Sequence, residues 1–428
     1  MRRLLLVLYL AALAVNWPDL PFNARLADLI FIPAVVALAS QISWRWPKVS
    51  ALDVAAMAFV ASSVPAVLVS SDLSSSAVEL IRELYGVAIY ATIAFAVAEG
   101  FSRTVAAGLA LTGVVPAAIG AVYLGAHTLA SVPLPVAVGQ VMAIPYFGTV
   151  LRLSALTATP AMLACTITAS LPFVWLRHAW APGDRRWALL SLAVLIVALL
   201  TFSHSIAGVA VAMAIVGRDS WRHRPWLRPI VIASVAAIIV GANVAASVSP
   251  RSIGGRVADG AVYQYGVDLE RTQIGNVEVT YQIISYWRLK QVAWQAFRDR
   301  PLTGVGLDRF HDVTEDAFQH GRLTQNYRAA DPHSTLMGRL AETGIIGVLG
   351  LLAFLGSVFV AAYRASVDDQ SPTIALAVFA GLSGLLVNSL NVDIMNFRFF
   401  WAAAGLVRGL SAIKSGGAGQ SRSYLFRC

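Results

Sequence analysis

The segment Asp331-Pro332-His333-Ser334 holds residue types suited to acid–base chemistry. Aspartate is a favoured N-cap and proline is favoured at the first helical position, so the segment predicts a helix that starts here and ends before Gly344. His333 then falls in the first turn, where free backbone N–H groups and the helix dipole favour an anion and disfavour a protonated imidazole. A neutral histidine beside an anion suits a general base. A histidine that only lines a helix end is the alternative.

Four arginines lie at or near the outer ends of apolar segments and have no obvious acidic partner in the sequence. They are Arg82, Arg152, Arg339 and Arg398. Charges at membrane depth are costly and usually face a functional interior, so these residues indicate a site for an anionic group. For any one of them, a side chain that reaches out to the lipid headgroups is the alternative.

A predicted helix over residues 286–300 precedes the histidine. Its aromatic residues recur at intervals of seven and three, and Arg288 lies near its start. Residues 301–306 predict a turn, and residues 308–320 predict a second helix. In that second helix, carboxylates and imidazoles spaced by three and four would suit a divalent cation, with a solvated helix face as the commoner explanation. No Gly-rich nucleotide loop, paired-cysteine motif or Gly-x-Ser-x-Gly is present, so the sequence predicts no cofactor.

The composition of the chain is that of a membrane protein. Of 428 residues, 57% are hydrophobic and only 13% are charged, and the mean hydropathy is +0.68. So little polar surface excludes a soluble enzyme, a disordered protein and a fibrous protein. The formal net charge is +9. Most of the arginines lie in loops between apolar runs, which argues against nucleic acid as a partner and leaves membrane lipid as the surroundings.

Twelve apolar segments predict an all-α polytopic fold with about 12 transmembrane helices. They are residues 3–16, 26–43, 52–70, 77–98, 103–124, 155–176, 187–202, 205–217, 229–249, 345–363, 373–390 and 397–413. The first would also fit a cleaved signal peptide. Splitting 187–217 into two segments at Thr201–Ser205 keeps the basic residues 218–228 inside. The positive-inside rule then places both termini in the cytoplasm and the long loop 250–332 outside.

These segments divide the chain into four parts. Residues 1–249 carry transmembrane helices 1–9, and residues 250–344 form a loop domain that ends in the His333 helix. Residues 345–413 carry helices 10–12, and residues 414–428 form a cytoplasmic tail. We see no internal repeat, which counts against a transporter or flippase without removing that alternative.

Several short motifs, taken in order, resemble the O-antigen ligase and O-antigen polymerase superfamily. The pieces are Arg152 followed by Pro160, Thr201–Ser205, Arg288 followed by Trp294, Pro301–Gly306, His333-Ser334 followed by Gly344, and Asp393 followed by Phe400-Trp401. The resemblance spans roughly residues 150–405. One departure is that His204 stands where the family usually has arginine, and another is that Ala161 replaces the asparagine after the family's proline.

The resemblance implies a membrane glycosyltransferase with the C-type fold in the bacterial inner membrane. Such an enzyme transfers a glycan from an undecaprenyl pyrophosphate carrier at the periplasmic face, with inversion and without a metal ion. A ligase passes the glycan to a lipid A core sugar, and a polymerase passes it to another carrier-linked unit. The acceptor is thus a glycan or glycolipid. A ligase is our first expectation, because only one large exterior loop is present. A metal-dependent glycosyltransferase is a further alternative.

Carried onto this chain, the resemblance implies two catalytic residues and five that bind substrate. His333 would be the base, and Arg288 would stabilise the leaving pyrophosphate. The expected binding residues are Arg152, Arg339, Ser203, His204 and Ser334. Arginines suit this role because a guanidinium forms strong, charge-assisted hydrogen bonds to phosphate oxygens.

Overall fold

The computed structural model describes most of the chain. The described residues are 2–16, 25–40, 48–130, 138–144, 148–180, 184–218, 221, 223–253, 256–257, 269–274, 277–283, 285–323, 330–367 and 374–416.

Helices dominate the described residues, and each of the twelve predicted apolar segments contains one. The helices are α1 (Arg2–Ala12), α2 (Leu26–Ala39), α3 (Ala51–Leu68), α4 (Leu73–Ala96), α5 (Ser102–Ala130), α6 (Pro160–Trp180), α7 (Arg185–Leu199), α8 (Ile206–Val216), α9 (Leu227–Ser247), α10 (Ser285–Asp299), α11 (Phe310–Gln319), α12 (Thr335–Val367), α13 (Ile374–Asn388) and α14 (Arg398–Gly416). A π-helical turn, Val97–Phe101, joins α4 to α5. The two helices predicted after residue 285 are confirmed as α10 and α11.

Several of these helices are long and apolar enough to cross a membrane. They are α3, the continuous run of α4 and α5, α6, α9 and α12. Helices α2, α8 and α13 are apolar but shorter. Residues 200–205 separate α7 from α8, so the predicted break in the 187–217 segment is confirmed. The fold is therefore that of a largely helical, multi-pass membrane protein.

The core lies where the first five helices meet the last three. Helix α3 packs along α12, α4 along α14, and α1 along α5, while α13 packs on α6 and α8. Phe354 of α12 stacks on Trp401 of α14 with ring centroids 5.0 Å apart, and Phe59 of α3 joins them. Aromatic pairs of this kind stabilise a core beyond the area that they bury. This core fixes the position of α12, whose first turn follows His333.

The prediction for the start of the His333 helix is wrong by about one turn. Helix α12 begins at Thr335, and Ser334 accepts a hydrogen bond from the Met337 N–H at 3.5 Å, as an N-cap does. His333 precedes the helix and has a positive φ of 47°. The predicted stop at Gly344 is a kink with φ 61° and ψ −160°, and the helix continues beyond it to Val367.

The turn at residues 301–306 explains why the chain bends at Gly344. The Val305 N–H donates to the Ala341 carbonyl at 2.9 Å, and the Ile345 N–H donates to the Pro301 carbonyl, also at 2.9 Å. A side chain at Gly344 would come within 2.4 Å of the Leu302 carbonyl oxygen. Only glycine fits at this φ with another backbone so close, so the turn at residues 301–306 and the kink at Gly344 stabilise each other. The predicted turn is thereby confirmed.

The structure also contains strands, which the all-helical prediction omitted. Strands β1 (Gly139–Ile144) and β2 (Gly148–Leu153) form an antiparallel hairpin between α5 and α6. Strands β3 (Val248–Ile253), β4 (Arg256–Val257), β5 (Leu269–Ile274) and β6 (Val277–Ile283) form a second sheet in the order β4-β3-β6-β5. Short strands with mixed polarity carry little hydropathy signal, which is why the prediction missed them.

Candidate functional site

Three rings from separate parts of the chain form a row. His204 comes from the connection between α7 and α8, Tyr286 from the first turn of α10, and His333 from the residue pair before α12. The Tyr286 and His333 ring centroids are 4.5 Å apart, and the Tyr286 and His204 centroids are 5.8 Å apart, both in edge-to-face geometry. Two predicted site residues thus meet through a tyrosine. We call His204, Tyr286 and His333 the ring row.

Two cations lie beside the ring row. Burial is the main cause of the low pKa of both imidazoles, Lys290 lowers that of His333 further, and His333, Arg152 and Lys290 lower that of His204 further, so these charges are close to the imidazoles. The Lys290 ammonium donates to Asn391 Oδ1 at 2.7 Å, while Arg152 Nε donates to the Thr201 carbonyl at 3.1 Å. Burial lowers the pKa of both cations, which means that each gives up some hydration by its position. A desolvated cation is well placed to bind a pyrophosphate.

Both imidazoles are neutral at neutral pH. Burial and the Lys290 charge lower the pKa of His333 to about 4. Burial, His333 and Arg152 lower the pKa of His204 to about 4 as well, although its ring is hydrogen-bonded to the backbone of Asn391. His204 Nε2 is buried without a hydrogen-bond partner among the described residues. Neutral imidazoles keep a free lone pair, so the ring row can accept protons or hydrogen bonds.

The two predicted serines hold the backbone of the site. Ser203 Oγ accepts from the Ser205 N–H at 3.2 Å, within the turn that presents His204. Ser334 Oγ caps α12 and also contacts the Ser389 carbonyl at 3.4 Å. Both serines are buried. Their described contacts are with the chain itself, which fits a role in positioning the histidines.

Left-handed backbone is concentrated around the candidate site. Among the described residues, the non-glycine residues with positive φ are Ala155, Leu156, Phe202, Asp308 and His333. Three of these belong to segments of the site. They are His333 itself, Phe202 next to Ser203, and Ala155 three positions after Arg152. Each such residue costs roughly 1–3 kcal/mol and persists where its surroundings hold it in place. The strained positions therefore fall in the segments that carry the ring row and its cations.

Arg288 lies on another face of α10 from the ring row. It is two positions from both Tyr286 and Lys290, which corresponds to about 160° around a helix. Leu289, Val292 and the other buried residues of α10 lie between these two flanks. The catalytic role expected for Arg288 remains a prediction. To contact a substrate at the ring row, the Arg288 side chain would have to extend around the helix.

The predicted lack of acidic partners is wrong for three of the four outer arginines. Each is ion-paired with a carboxylate that is distant in the sequence or one helical turn away. The pairs are Arg82 with Glu79, Arg339 with Glu83 and Arg398 with Asp28. Arg339 is also stacked over the Phe59 ring at 4.5 Å and donates to Ser63 Oγ at 3.1 Å. The expected role of Arg339 in binding phosphate competes with this buried pair.

These three ion pairs line a cavity of about 500 Å³, which Asp331 and Pro332 also border. Four further carboxylates line it, from Asp308, Asp331, Glu342 and Asp393. None of these four forms an ion pair with a residue that the structure describes. We call this space the acidic cavity. A volume of this size is typical of pockets for small ligands.

The carboxylates around α11, for which a divalent-cation site was the less favoured explanation, do not converge. Asp308 accepts from Ser75 Oγ at 2.8 Å, the Asp312 carboxylate pairs with Arg309, and that of Asp316 pairs with Arg322 at 2.9 Å. Across the described part of the chain, no three histidine, cysteine or acidic residues are grouped to hold a metal ion. The acidic side of α11 is instead neutralised by arginines.

Three residues of the site were missed by the sequence reasoning, namely Tyr286, Lys290 and Asn391. Tyr286 and Lys290 are four apart on α10 and so share a face. Lys290 is also one of three lysines in the whole chain, a signal that could have found it. Asn391 lies between α13 and α14 and donates to Asn243 Oδ1 at 2.8 Å. Nothing in the local pattern around Asn391 marks it, because its partners are about 100 or more residues away.

Comparison with known proteins agrees with the resemblance in the motifs. Residues 188–352 match a family model described as O-antigen ligase. This match covers less than half of the chain, but it includes all three members of the ring row and Lys290. No curated protein matches the chain. Over residues 188–352 the chain is thus similar to O-antigen ligases, and the resemblance seen in the motifs is confirmed for this part of the chain.

Proposed function

We propose that this protein is a membrane glycosyltransferase of the O-antigen ligase type. It transfers a glycan from an undecaprenyl pyrophosphate carrier to a sugar hydroxyl of an acceptor glycan or glycolipid. The observation that carries the proposal is the ring row, in which two half-buried, neutral histidines of the segment that matches the family lie beside two partly desolvated cations. That arrangement supplies a base and an anion site at the same place.

In the proposed reaction, the acceptor oxygen attacks the anomeric carbon of the carrier-linked sugar. The new C–O bond forms on the face opposite the leaving group, so the configuration inverts. The bond to the pyrophosphate oxygen breaks, and that oxygen keeps the electron pair. His333 takes the proton of the attacking hydroxyl at an imidazole nitrogen, a role typically worth about 10²–10⁴-fold in rate. The transfer involves no change of oxidation state and needs no further reactant.

The cations have the complementary task of stabilising the leaving group. Arg152 and Lys290 are our choice for this task, with Arg288 as the further candidate from the resemblance. Electrostatic groups that are fixed before the reaction usually contribute a large share of the rate, because they need no reorganisation when charge develops. His204 is neutral and has a buried acceptor nitrogen, so it would accept a hydrogen bond from a substrate hydroxyl where the family's arginine would donate to phosphate.

The proposal places the reaction at the periplasmic face of the bacterial inner membrane. Support comes from the distribution of basic residues, which puts both termini in the cytoplasm and residues 250–332 outside under the positive-inside rule. The polyprenyl tail of the carrier requires an apolar environment beside the site. Helix α9 provides such a surface, because none of its membrane-length window is buried inside the protein.

The experiment is a transfer assay with the purified full chain. The protein is incubated with a carrier-linked glycan and, in turn, a lipid A core glycolipid or a second carrier-linked unit. Glycan transfer and free undecaprenyl pyrophosphate are measured for wild type, His333→Ala and the control His320→Ala, whose imidazole is exposed just after α11. We expect the first variant to lose transfer and the control to retain it.

The acceptor that is used distinguishes a ligase from a polymerase, the second member of the same superfamily. Equal activity of His333→Ala and wild type would overturn the mechanism. If wild type releases no carrier with either acceptor, the glycosyltransferase proposal fails and polysaccharide transport becomes the leading alternative.

A further inference from the structure

The acidic cavity is separate from the ring row but directly adjoins it in the chain. Asp331 and Pro332 line the cavity, and the next residue, His333, belongs to the ring row. Pro332 is held in place by Gly338 of α12, where any larger residue would come within 2.7 Å of its ring. A ligand in the cavity would therefore lie close to the backbone that positions the proposed base.

The charges of the cavity define which ligands it can accept. After the three ion pairs are formed, four carboxylates of the cavity remain without an ion pair among the described residues, and the Arg339 charge acts on Glu342 and Asp393 from a greater distance. An ionised carboxylate is only an acceptor of hydrogen bonds, so its partner must be a donor. The pyrophosphate of the carrier has no donors at neutral pH and would be repelled by the carboxylates that are ionised. The cavity is suited to a neutral or cationic molecule with several O–H or N–H groups.

A buried atom points to a missing partner at this place. Glu83 is 5% exposed and lines the cavity, and its Oε1 is paired with Arg339. Its Oε2 is buried and has no hydrogen-bond partner in the described structure. A buried polar atom left without a partner costs about 1–3 kcal/mol, more when it is charged. A ligand donor that reaches this oxygen would recover that free energy on binding.

The remaining walls also suit a sugar. The Asp393 carboxylate lies at the cavity wall, where its two oxygens accept from the Met395 N–H at 3.0 Å and from Asn396 Nδ2 at 3.2 Å. Burial raises the pKa of Asp393 in spite of the opposing Arg339 charge, and burial and Asp308 raise the pKa of Asp331. Trp401 and Tyr85 add aromatic surface beside these polar groups. Carbohydrate rings present hydroxyls at the rim and C–H groups on the face, so this combination matches both.

We infer that the acidic cavity binds the end of the acceptor glycan, recognised through its hydroxyl or amino hydrogens, while the pyrophosphate carrier binds on the cationic side of residues 331–333. This inference rests on the proposed function and specifies the acceptor side of it. The two substrates then approach His333 from opposite sides. The charge of each compartment excludes the wrong substrate.

The test uses three disaccharides that differ in charge, titrated calorimetrically into the purified full chain. They are cellobiose, which is neutral, the disaccharide of glucosamine, which is cationic, and digalacturonic acid, which is anionic. We expect the neutral and cationic sugars to bind at millimolar concentration and the anionic sugar not to bind. Binding of the anionic sugar as tightly as the others, or of none of the three, would overturn the inference.

Matched variants locate the binding in the cavity. Asp331→Asn lies at the cavity wall in an exposed position where the fold tolerates substitution, and Asp393→Asn lies deeper. Asp299→Asn, at the exposed end of α10, is the control. We expect each cavity variant to weaken disaccharide binding about tenfold, which corresponds to the loss of one hydrogen bond to a charged group. Unchanged binding in the folded Asp331→Asn protein would place the sugar elsewhere.

Kinetics separate a failure of this inference from a failure of the proposed function. In the transfer assay, the cavity variants should raise the KM for the acceptor and leave the KM for the carrier unchanged. A rise only in the carrier KM would overturn the inference while the function stands. Disaccharide binding without transfer to any acceptor would mean that the cavity binds sugar but that the proposed function is wrong.

Discussion

The ring row and the acidic cavity both adjoin the segment 331–333 and differ in electrostatic character. The ring row combines neutral imidazoles with the cations Lys290 and Arg152. The cavity holds more carboxylates than guanidiniums, and each of its arginines is neutralised by an ion pair. Arginines that occupy similar positions at the ends of apolar segments therefore have different roles. Arg152 lies beside the ring row, where we propose that it binds an anion, while Arg339 is held in a buried ion pair with Glu83.

The largest expected effect on the ring row comes from removing its proposed base. His333→Gln keeps a polar side chain of similar size but cannot take up a proton, so kcat should fall by about 10²–10⁴-fold. The KM values for both substrates should change little, because the pockets on either side are left intact. Single-turnover transfer by the purified variant measures the loss of kcat. A change confined to KM would show that His333 only binds substrate.

The largest expected effect on the cavity side is on stability. Arg339→Met leaves the Glu83 carboxylate buried without its cation, which should lower the free energy of unfolding by about 3–5 kcal/mol. Thermal unfolding followed by tryptophan fluorescence measures the change. The double variant Arg339→Met with Glu83→Gln should recover most of the loss, since no uncompensated charge remains.

The same variant tests whether the two regions are as different as their charges suggest. The fraction of Arg339→Met molecules that remains folded should have the same KM for the carrier as wild type. A large rise in the carrier KM without loss of stability would assign Arg339 to pyrophosphate after all, as the resemblance in the motifs implies.

A smaller effect is expected from the cation on the other flank. Lys290→Met removes the ammonium but keeps the length of the side chain, and kcat/KM for the carrier should fall by about 10²-fold. Lys290→Arg keeps the charge and should recover part of this loss. Arg288→Met is the informative comparison, because Arg288 lies about 160° away on the same helix. If its loss is larger than that of Lys290→Met, the carrier binds on the Arg288 flank of α10.

The sequence predicts the helices of this fold well because their signal is local. Runs of apolar residues mark each helix, and the 201–205 break and the bend at Gly344 are marked by short polar or glycine-containing segments. The start of α12 was misplaced because Asp331 and Pro332 form a good helix start in isolation. In the folded chain, Thr335 N–H and Oγ1 bond instead to the Ser389 and Val392 carbonyls, and this tertiary contact sets the boundary.

The candidate site was predicted only in part, because charge pairing is not local. His333, His204 and Arg152 were found from motifs, and the structure places the two imidazoles around Tyr286 with Arg152 nearby. The partner of Arg398 is Asp28, 370 positions away. No spacing rule connects such residues, so an arginine at an anion site and one in an ion pair look the same until the helices are packed together.

The smallest expected effect is that of pH on the free enzyme, and it sharpens the contrast between the regions. A histidine acts as a base only when it is neutral, which holds above its pKa. Since the pKa of His333 is about 4, kcat/KM should stay nearly constant between about pH 8 and pH 5 and fall only below that range. Transfer rates at low substrate concentration measure this profile.

The profile of kcat should differ, because it reports the complex with bound carrier. A pyrophosphate beside Lys290 offsets the cation that depresses the pKa of His333, and its own negative charge favours the imidazolium. The acid limb of kcat should therefore lie at higher pH than that of kcat/KM. If the carrier were bound in the acidic cavity instead, its charge would lie away from Lys290. The Lys290 ammonium would then still lower the pKa of His333. The two acid limbs would then move closer together, which makes their separation a direct measure of which compartment holds the anion.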